Sequence, residues 1–171
     1  MMTTDFTIRR SCFAAVMAIG TLFASTAHAQ DRLGGHFGMV LPLVSHARST
    51  TTTIADDAVT GWPMGVTVKT SSRVAFDLEL VPVIQNEPLH VSLTLHPGIL
   101  AAMSDRTTAG VRMAFDVTQA SWGFTPLVNR AITSVGAGQL FAEMVAPIRF
   151  REAGGERFVS VGLGAHIGIG F

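Results

Sequence analysis

The stretch "FVSVGLGAHIGIGF", residues 158–171, has two unlike faces when it is read by alternate residues. One face is apolar without a break and consists of Val159, Val161, Leu163, Ala165, Ile167, Ile169 and Phe171. The other face is mostly small or polar and carries Phe158, Ser160, Gly162, Gly164, His166, Gly168 and Gly170. A strict period of two over this length predicts a β-strand whose two faces meet different surroundings.

The same two-faced pattern recurs along the chain and predicts an all-β protein of eight strands. In segment 109 to 118, for example, Val111 and Phe115 share one face, and Arg112 and Asp116 share the other. Turn-forming residues lie between the segments, and no helical period longer than two turns occurs after residue 29. The eight predicted strands are 33 to 45, 61 to 70, 73 to 84, 89 to 100, 109 to 118, 121 to 129, 139 to 150 and 157 to 171.

Two architectures fit eight such strands, and they differ in which face points inward. A soluble lipocalin-like barrel would surround a ligand with its apolar faces, whereas a transmembrane barrel would turn these faces to lipid. The polar faces are rich in Gly, Ser, Thr and His, and charged residues make up only 14% of the chain. A soluble protein normally has about 25%. The composition therefore favours an antiparallel up-and-down transmembrane β-barrel, with a periplasmic lipocalin-like binding barrel as an alternative.

The beginning of the sequence predicts export. Arg9 and Arg10 precede the apolar run "CFAAVMAIGTLFAS", and "AHA" at 27 to 29 matches a signal-peptidase site. The run is shorter than the roughly 20 residues of a membrane-spanning helix, which disfavours a retained anchor. We therefore expect a signal peptide at 1–29 and a barrel at 30–171. Cys12 lies within the predicted signal peptide, so no disulfide or thiol chemistry is expected.

The composition argues against several classes of partner and cofactor. Twelve basic and twelve acidic residues give a neutral chain, so a nucleic-acid partner is not expected. The chain has no metal-spaced cysteines and no phosphate-binding glycine loop. His90 and His96 are six residues apart on one predicted strand, which separates them by roughly 20 Å. We therefore expect neither a metal nor another cofactor.

The predicted signal peptide, the alternating strands and the final strand ending in phenylalanine resemble bacterial outer-membrane β-barrel proteins, in particular the small eight-stranded class that includes OmpA, OmpX and OmpW. In that family the barrel assembly machinery recognises the last strand, and Ile167, Ile169 and Phe171 match its pattern. The resemblance implies a Gram-negative outer membrane, lipid around the wall and the assembly machinery as a partner during insertion. The sequence has no tyrosine, so the interfacial girdle would consist of Trp62, Trp122, Phe124 and Phe150.

The family's topology, with both termini in the periplasm, turns four connections outward. These are 46 to 60, 85 to 88, 119 to 120 and 151 to 156. Only the Thr-rich first connection is long, and we expect it to be a mobile loop. The short connections disfavour an adhesin.

The polar faces predict a lumen filled by paired side chains. An eight-stranded barrel is just wide enough to be filled in this way, and buried charges persist only when they are paired. We therefore expect a structural or interaction protein and not an open porin, with a narrow path for a small solute as an alternative. The predicted lumen network is His36, Lys69, Asp77, Glu79, His90, His96, Arg112, Asp116, Glu143, Arg149 and His166.

An enzymatic alternative comes from "HVS" at 90 to 92, which resembles the His-x-Ser of outer-membrane lipid A deacylases. Such a site would have to meet an acyl chain at the lipid face, whereas His90 and Ser92 belong to the predicted lumen face. No carboxylate is clearly placed to orient the histidine. We therefore expect no enzymatic activity.

The last hairpin has a predictable register. Gly154 and Gly155 suit the positive φ angles of a two-residue type I′ turn. With this turn, Glu143 faces His166 across the two strands, and both point into the lumen.

Overall fold

The computed structural model describes residues 32–86 and 88–171, so the predicted signal peptide lies outside the described residues. No helix in this part of the chain is long and apolar enough to cross a membrane. The described residues form eleven strands: β1 (Leu33–Ala47), β2 (Thr50–Thr53), β3 (Val59–Gly61), β4 (Met64–Lys69), β5 (Val74–Asn86), β6 (Leu89–Ala102), β7 (Thr107–Asp116), β8 (Ser121–Val135), β9 (Gly138–Val145), β10 (Ile148–Ala153) and β11 (Glu156–Gly170).

These strands form a closed ring with eight positions, all paired antiparallel. The second position is shared by β2, β3 and β4, and the seventh by β9 and β10, while each other position is one strand. Strand β11 closes the ring on β1, with pairs from His36↔Gly170 to Ala47↔Ser160. The structure confirms the predicted eight-stranded antiparallel up-and-down barrel.

Prolines mark two of the interruptions in the wall. A proline has no N–H to donate to a neighbouring strand, so the ladder breaks at Pro63 and Pro147. Backbone bonds still cross both breaks: Gly38 N donates to Pro63 O over 2.9 Å, and Gly162 N donates to Pro147 O over 2.9 Å. The wall therefore remains hydrogen-bonded at both sites.

The prediction of a long loop at 46 to 60 is wrong, because much of this segment forms strands that belong to the barrel wall. Arg48 and Ser49 have positive φ angles of 48° and 65° and form a tight turn between β1 and β2. The four threonines of β2 then pair with β1, as suits β-branched residues. Neither turn residue is glycine or asparagine, so the sequence lacks the usual signal for such a turn.

The two faces of the wall have opposite character. Large apolar side chains on the outer face are exposed, such as Ile99 at 60% and Ile167 at 50%. Charged side chains on the inner face are buried, such as Asp77 at 0% and Arg112 at 3%. This is the arrangement expected of a transmembrane barrel and the reverse of the lipocalin-like alternative.

The last hairpin has the predicted register. Gly154 and Gly155 occupy its turn with φ angles of 63° and 79°. Ile148 pairs with Val161, and Glu143 pairs with His166. The pairing keeps the same register on both sides of Ala146 and Pro147, so the interruption does not shift the faces.

Candidate functional site

One arginine lies at the centre of the lumen and contacts three carboxylates. Arg112 of β7 donates from Nε to Asp77 Oδ2 over 2.7 Å and from Nη1 to Glu143 Oε1 over 2.9 Å. Its Nη1 also lies 3.6 Å from Glu79 Oε2. All four side chains are buried, so these ion pairs are shielded from bulk water.

Three histidines and two neutral side chains complete the hydrogen bonding of these carboxylates. His36 Nε2 and His96 Nδ1 donate to Glu79 over 3.0 and 3.2 Å, and His166 Nδ1 donates to Glu143 over 3.2 Å. Further donors are Thr67 Oγ1 to Asp77 at 2.6 Å and Asn129 Nδ2 to Glu143 at 3.3 Å. We call the charged and histidine members the central cluster: His36, Asp77, Glu79, His96, Arg112, Glu143 and His166.

Inward-facing glycines leave room for the central cluster. A Cβ atom on Gly98 would lie 2.8 Å from Val111 O and would also meet the Arg112 side chain. A Cβ on Gly65 would clash with the ring of His36, and one on Gly38 with the ring of His166. Glycines on the polar faces thus lie beside large polar side chains of neighbouring strands and leave space for them.

The central cluster separates two cavities in the lumen. The hairpin-end cavity, about 350 Å³, lies on the side of the Arg48–Ser49 and Gly154–Gly155 turns and is bordered by Val81, His90, Arg149, Arg151 and Ser160. The opposite cavity, about 210 Å³, is bordered by Gly34, Thr67, Asn129 and Phe171. Arg112 and Glu143 border both cavities.

The structure divides the predicted lumen residues into three groups. Seven of the eleven form the central cluster defined above. His90, Asp116 and Arg149 line the hairpin-end cavity without joining the cluster. Lys69 does not belong to the network as predicted, because it lies exposed at the last residue of β4, where its ammonium group remains in water.

Sequence reasoning missed several polar residues of the lumen. Thr67 and Asn129 donate to the cluster carboxylates, and Arg151 lines the hairpin-end cavity. Thr67 and Asn129 could have been found by alternation, since Thr67 is two residues from Gly65 and Asn129 is two residues from the inward Leu127. Arg151 was assigned to a connection because the predicted strand ended at residue 150.

His90 and Ser92 both line the hairpin-end cavity and not the outer wall. In the described part of the chain, no carboxylate is hydrogen-bonded to His90; Asp57, which lines the same cavity, accepts from Gln85 Nε2 at 3.1 Å. The pair therefore lacks both the orienting carboxylate and the lipid-facing position that a deacylase site would require.

The outer aromatic residues are not all at strand ends. Trp122, Phe124 and Phe150 pack together near the start of β8, with the Trp122 and Phe150 ring centres 4.6 Å apart. The predicted position of Trp62 at a strand end is wrong. It stacks on Phe37 between β3 and β4, because the second position of the ring continues to Thr50.

The proposed assembly residues lie on the outer face, at the end of the barrel away from the Arg48–Ser49 and Gly154–Gly155 turns. Ile167, Ile169 and Phe171 are all exposed. The backbone of Phe171 exchanges two hydrogen bonds with Gly35 of β1, over 2.8 and 2.9 Å. Their recognition by an assembly machinery stays a prediction.

The described side chains in the lumen are not arranged as a metal site. Among residues 32–86 and 88–171, no group of three His, Cys, Asp or Glu side chains is arranged to hold a metal ion. In the central cluster the carboxylates instead face the Arg112 guanidinium and imidazole N–H groups.

Comparison with known proteins gives little at the level of sequence. No family model matches the chain, and no curated protein matches it. Among solved structures, it is similar to the solid-state NMR structure of outer membrane protein AlkL in DMPC lipid bilayers. The similarity covers 82% of this chain and 89% of the other at 10% identity, with a TM-score of 0.42. The strand pairing described above defines the class of this chain, an eight-stranded antiparallel barrel with an apolar wall and a charged interior.

Proposed function

We propose that this chain is an integral protein of the bacterial outer membrane with a structural or interaction role, and that its lumen is closed to ions. The proposal depends above all on one observation, the reversal of polarity across the wall. Charged side chains are buried inside the ring, and large apolar side chains cover its outside.

The outer face is costly in water and favourable in lipid. Phe76, Ile99, Val128 and Ile167 are exposed on different strands around the ring. Soluble monomers rarely expose a continuous apolar patch larger than a few hundred Å². In hydrocarbon, backbone N–H and C=O groups must find partners within the protein. A closed barrel meets this requirement because it has no unpaired strand edge, so this wall suits a lipid environment.

The closed lumen is supported by the central cluster. Arg112 reaches carboxylates from β5 and β9, so a single side chain connects strands on different sides of the ring. An ion crossing the lumen would have to displace this arginine from buried carboxylates. Breaking a buried ion pair in this way costs about 3–5 kcal/mol.

A narrow path for a small solute is the second candidate, and one observation favours it. The two cavities reach the central cluster from opposite ends, and both border Arg112 and Glu143. A rearrangement confined to these side chains could connect them. The closed and conducting alternatives thus differ in whether this cluster rearranges to join the two cavities, and ion conductance distinguishes them.

Membrane residence can be tested with cysteine labels, because the only cysteine in the sequence is Cys12. Ile99→Cys and Ile167→Cys would place a fluorophore on the outer face, and Lys69→Cys would place it at an exposed strand end. In lipid vesicles, a quencher on the acyl chains should quench the first two and spare the third. Equal quenching at all three sites, or recovery of the unlabelled chain as a soluble periplasmic protein, would contradict the proposal.

The proposal assigns no catalytic role to His90 and Ser92. The purified barrel should therefore release no fatty acid from lipid A, and Ser92→Ala should behave as the unaltered chain does. Release that depends on Ser92 would establish the enzymatic alternative instead.

A further inference from the structure

The hairpin-end cavity contains an arginine that forms no ion pair with a carboxylate among the described residues. Arg149 of β10 lines the cavity, and its described partners are two backbone carbonyls, Phe124 O at 3.1 Å and Ile148 O at 3.4 Å. The Nη1 atom contacts both carbonyl oxygens. The Nε and Nη2 donors have no hydrogen-bond partner among the described residues. A half-buried guanidinium with free donors favours an anionic partner.

Four carboxylates border the same cavity: Glu79 and Glu143 belong to the central cluster, and Asp57 and Asp116 each accept hydrogen bonds through one oxygen. Asp116 accepts from the Thr118 amide and hydroxyl and from the Gln119 amide, over 2.7 to 3.1 Å. Asp57 accepts from Gln85 Nε2. Within the described residues no ion pair joins either carboxylate to Arg149. A second arginine of the same strand, Arg151, also lines the cavity and adds positive charge on this side.

The floor of the cavity holds buried polar atoms without partners. These are His96 Nε2, His166 Nε2 and Thr125 Oγ1, and the residues that carry them are 8%, 3% and 4% exposed. All three residues line the hairpin-end cavity. These three atoms have almost no accessible surface, so they belong to the packed floor of the cavity, and we assign no ligand contact to them.

Part of the cavity wall is apolar. Val81 and Val83 border it from β5, across the ring from the arginines of β10, and Val145 borders it from β9. Inorganic anions would gain nothing from these side chains, whereas an alkyl group would be removed from water. A cavity of about 350 Å³ is at the lower end of the size of small-molecule sites.

We propose that the hairpin-end cavity binds a small organic carboxylate, with its anionic group on Arg149 and its alkyl part against the valines. This goes beyond the proposed function, because a closed barrel with an empty mouth would satisfy that proposal equally well. The site requires only the folded barrel and not conduction through it.

The test uses the full barrel in detergent, with folding verified by faster gel migration before boiling. Acetate, butyrate and hexanoate are titrated calorimetrically, with butyramide and inorganic phosphate as comparisons. Binding should be saturable for the carboxylates and should strengthen roughly fourfold for each added methylene until the cavity is filled. Butyramide should bind at least tenfold more weakly than butyrate, because it lacks the charge that pairs with Arg149.

The matched variants are Arg149→Gln and Arg130→Gln, the second at an exposed arginine outside this cavity. Arg149→Gln should weaken butyrate at least tenfold, and Arg130→Gln should leave it unchanged. Three results would overturn the inference: no saturable carboxylate binding by a folded barrel, equal binding by Arg149→Gln, or phosphate binding as tightly as hexanoate. Each leaves the proposed function untouched if the same preparation carries no ion current.

Discussion

The central cluster and the hairpin-end cavity belong to one polar inner face, but they differ in how charge is satisfied. In the cluster each carboxylate accepts from at least two side-chain donors, and Arg112 contacts three carboxylates. In the cavity Arg149 contacts only backbone carbonyls. The difference follows depth: a charge far from water persists only when paired, whereas one near a mouth can stay available to a ligand.

The largest effect is expected at Arg112. Replacing it by methionine, Arg112→Met, leaves Asp77, Glu79 and Glu143 buried without their shared cation. The free energy of unfolding in detergent should fall by about 3–5 kcal/mol. This loss is measured by denaturant titration, with the folded fraction read from gel migration. The exposed Arg130→Met should change the value by less than about 0.5 kcal/mol, and equal effects of the two variants would show that the cluster is not a stabilising centre.

A smaller loss is expected when one carboxylate of the cluster becomes neutral. Glu143→Gln keeps the size of the side chain but weakens the charged bonds from Arg112, Asn129 and His166. The free energy of unfolding should fall by about 1.5–3 kcal/mol. Glu152→Gln is the matched control, because Glu152 pairs with Arg157 at an exposed position and its loss should cost less than about 1 kcal/mol. A larger loss in Glu152→Gln than in Glu143→Gln would contradict the claim that deeply buried charges depend most on their partners.

Arg149→Gln should change stability little, although it too removes a lumen arginine. No carboxylate loses a partner in this variant, so the free energy of unfolding should change by less than about 1 kcal/mol. The measurement is the same denaturant titration without added carboxylate. A loss as large as that of Arg112→Met would mean that Arg149 is part of the structural network and not a ligand group.

The smallest effect lies outside the membrane-spanning wall, at Asp56. The Thr53 hydroxyl and amide donate to its carboxylate over 2.7 and 2.8 Å and lower its pKa. Because the pKa is lower in the folded chain, this bond stabilises the fold above the ordinary pKa and is lost as pH falls. Thr53→Val should raise the Asp56 pKa in a carboxyl NMR titration and leave the central cluster unchanged. An unaltered pKa would remove the assigned cause.

The strand pattern of the sequence was sufficient to predict the ring and its faces. Alternation requires only that apolar and polar residues be distinguished, and a shift by one residue would exchange the faces. For this reason the pairing of Glu143 with His166 could be predicted from Gly154 and Gly155 alone. The same reasoning placed the members of the central cluster on one face.

Other features depended on contacts between strands that the sequence does not display. Nothing in the sequence shows that Arg112 reaches both β5 and β9, since this depends on the curvature of the ring. The turn at Arg48 and Ser49 was missed because its residues are unusual at positive φ. The distinction between Arg149 and Arg112 likewise depends on which carboxylates lie within reach.

The central claim, a membrane barrel closed by the Arg112 cluster, is tested most directly by ion conductance. The chain is reconstituted into planar bilayers, and insertion is verified by recovering folded, heat-modifiable protein from the same lipid. We predict no unitary current steps above the lipid background at either polarity of the applied voltage. Stable steps that scale with the amount of inserted, unaltered protein would contradict the account.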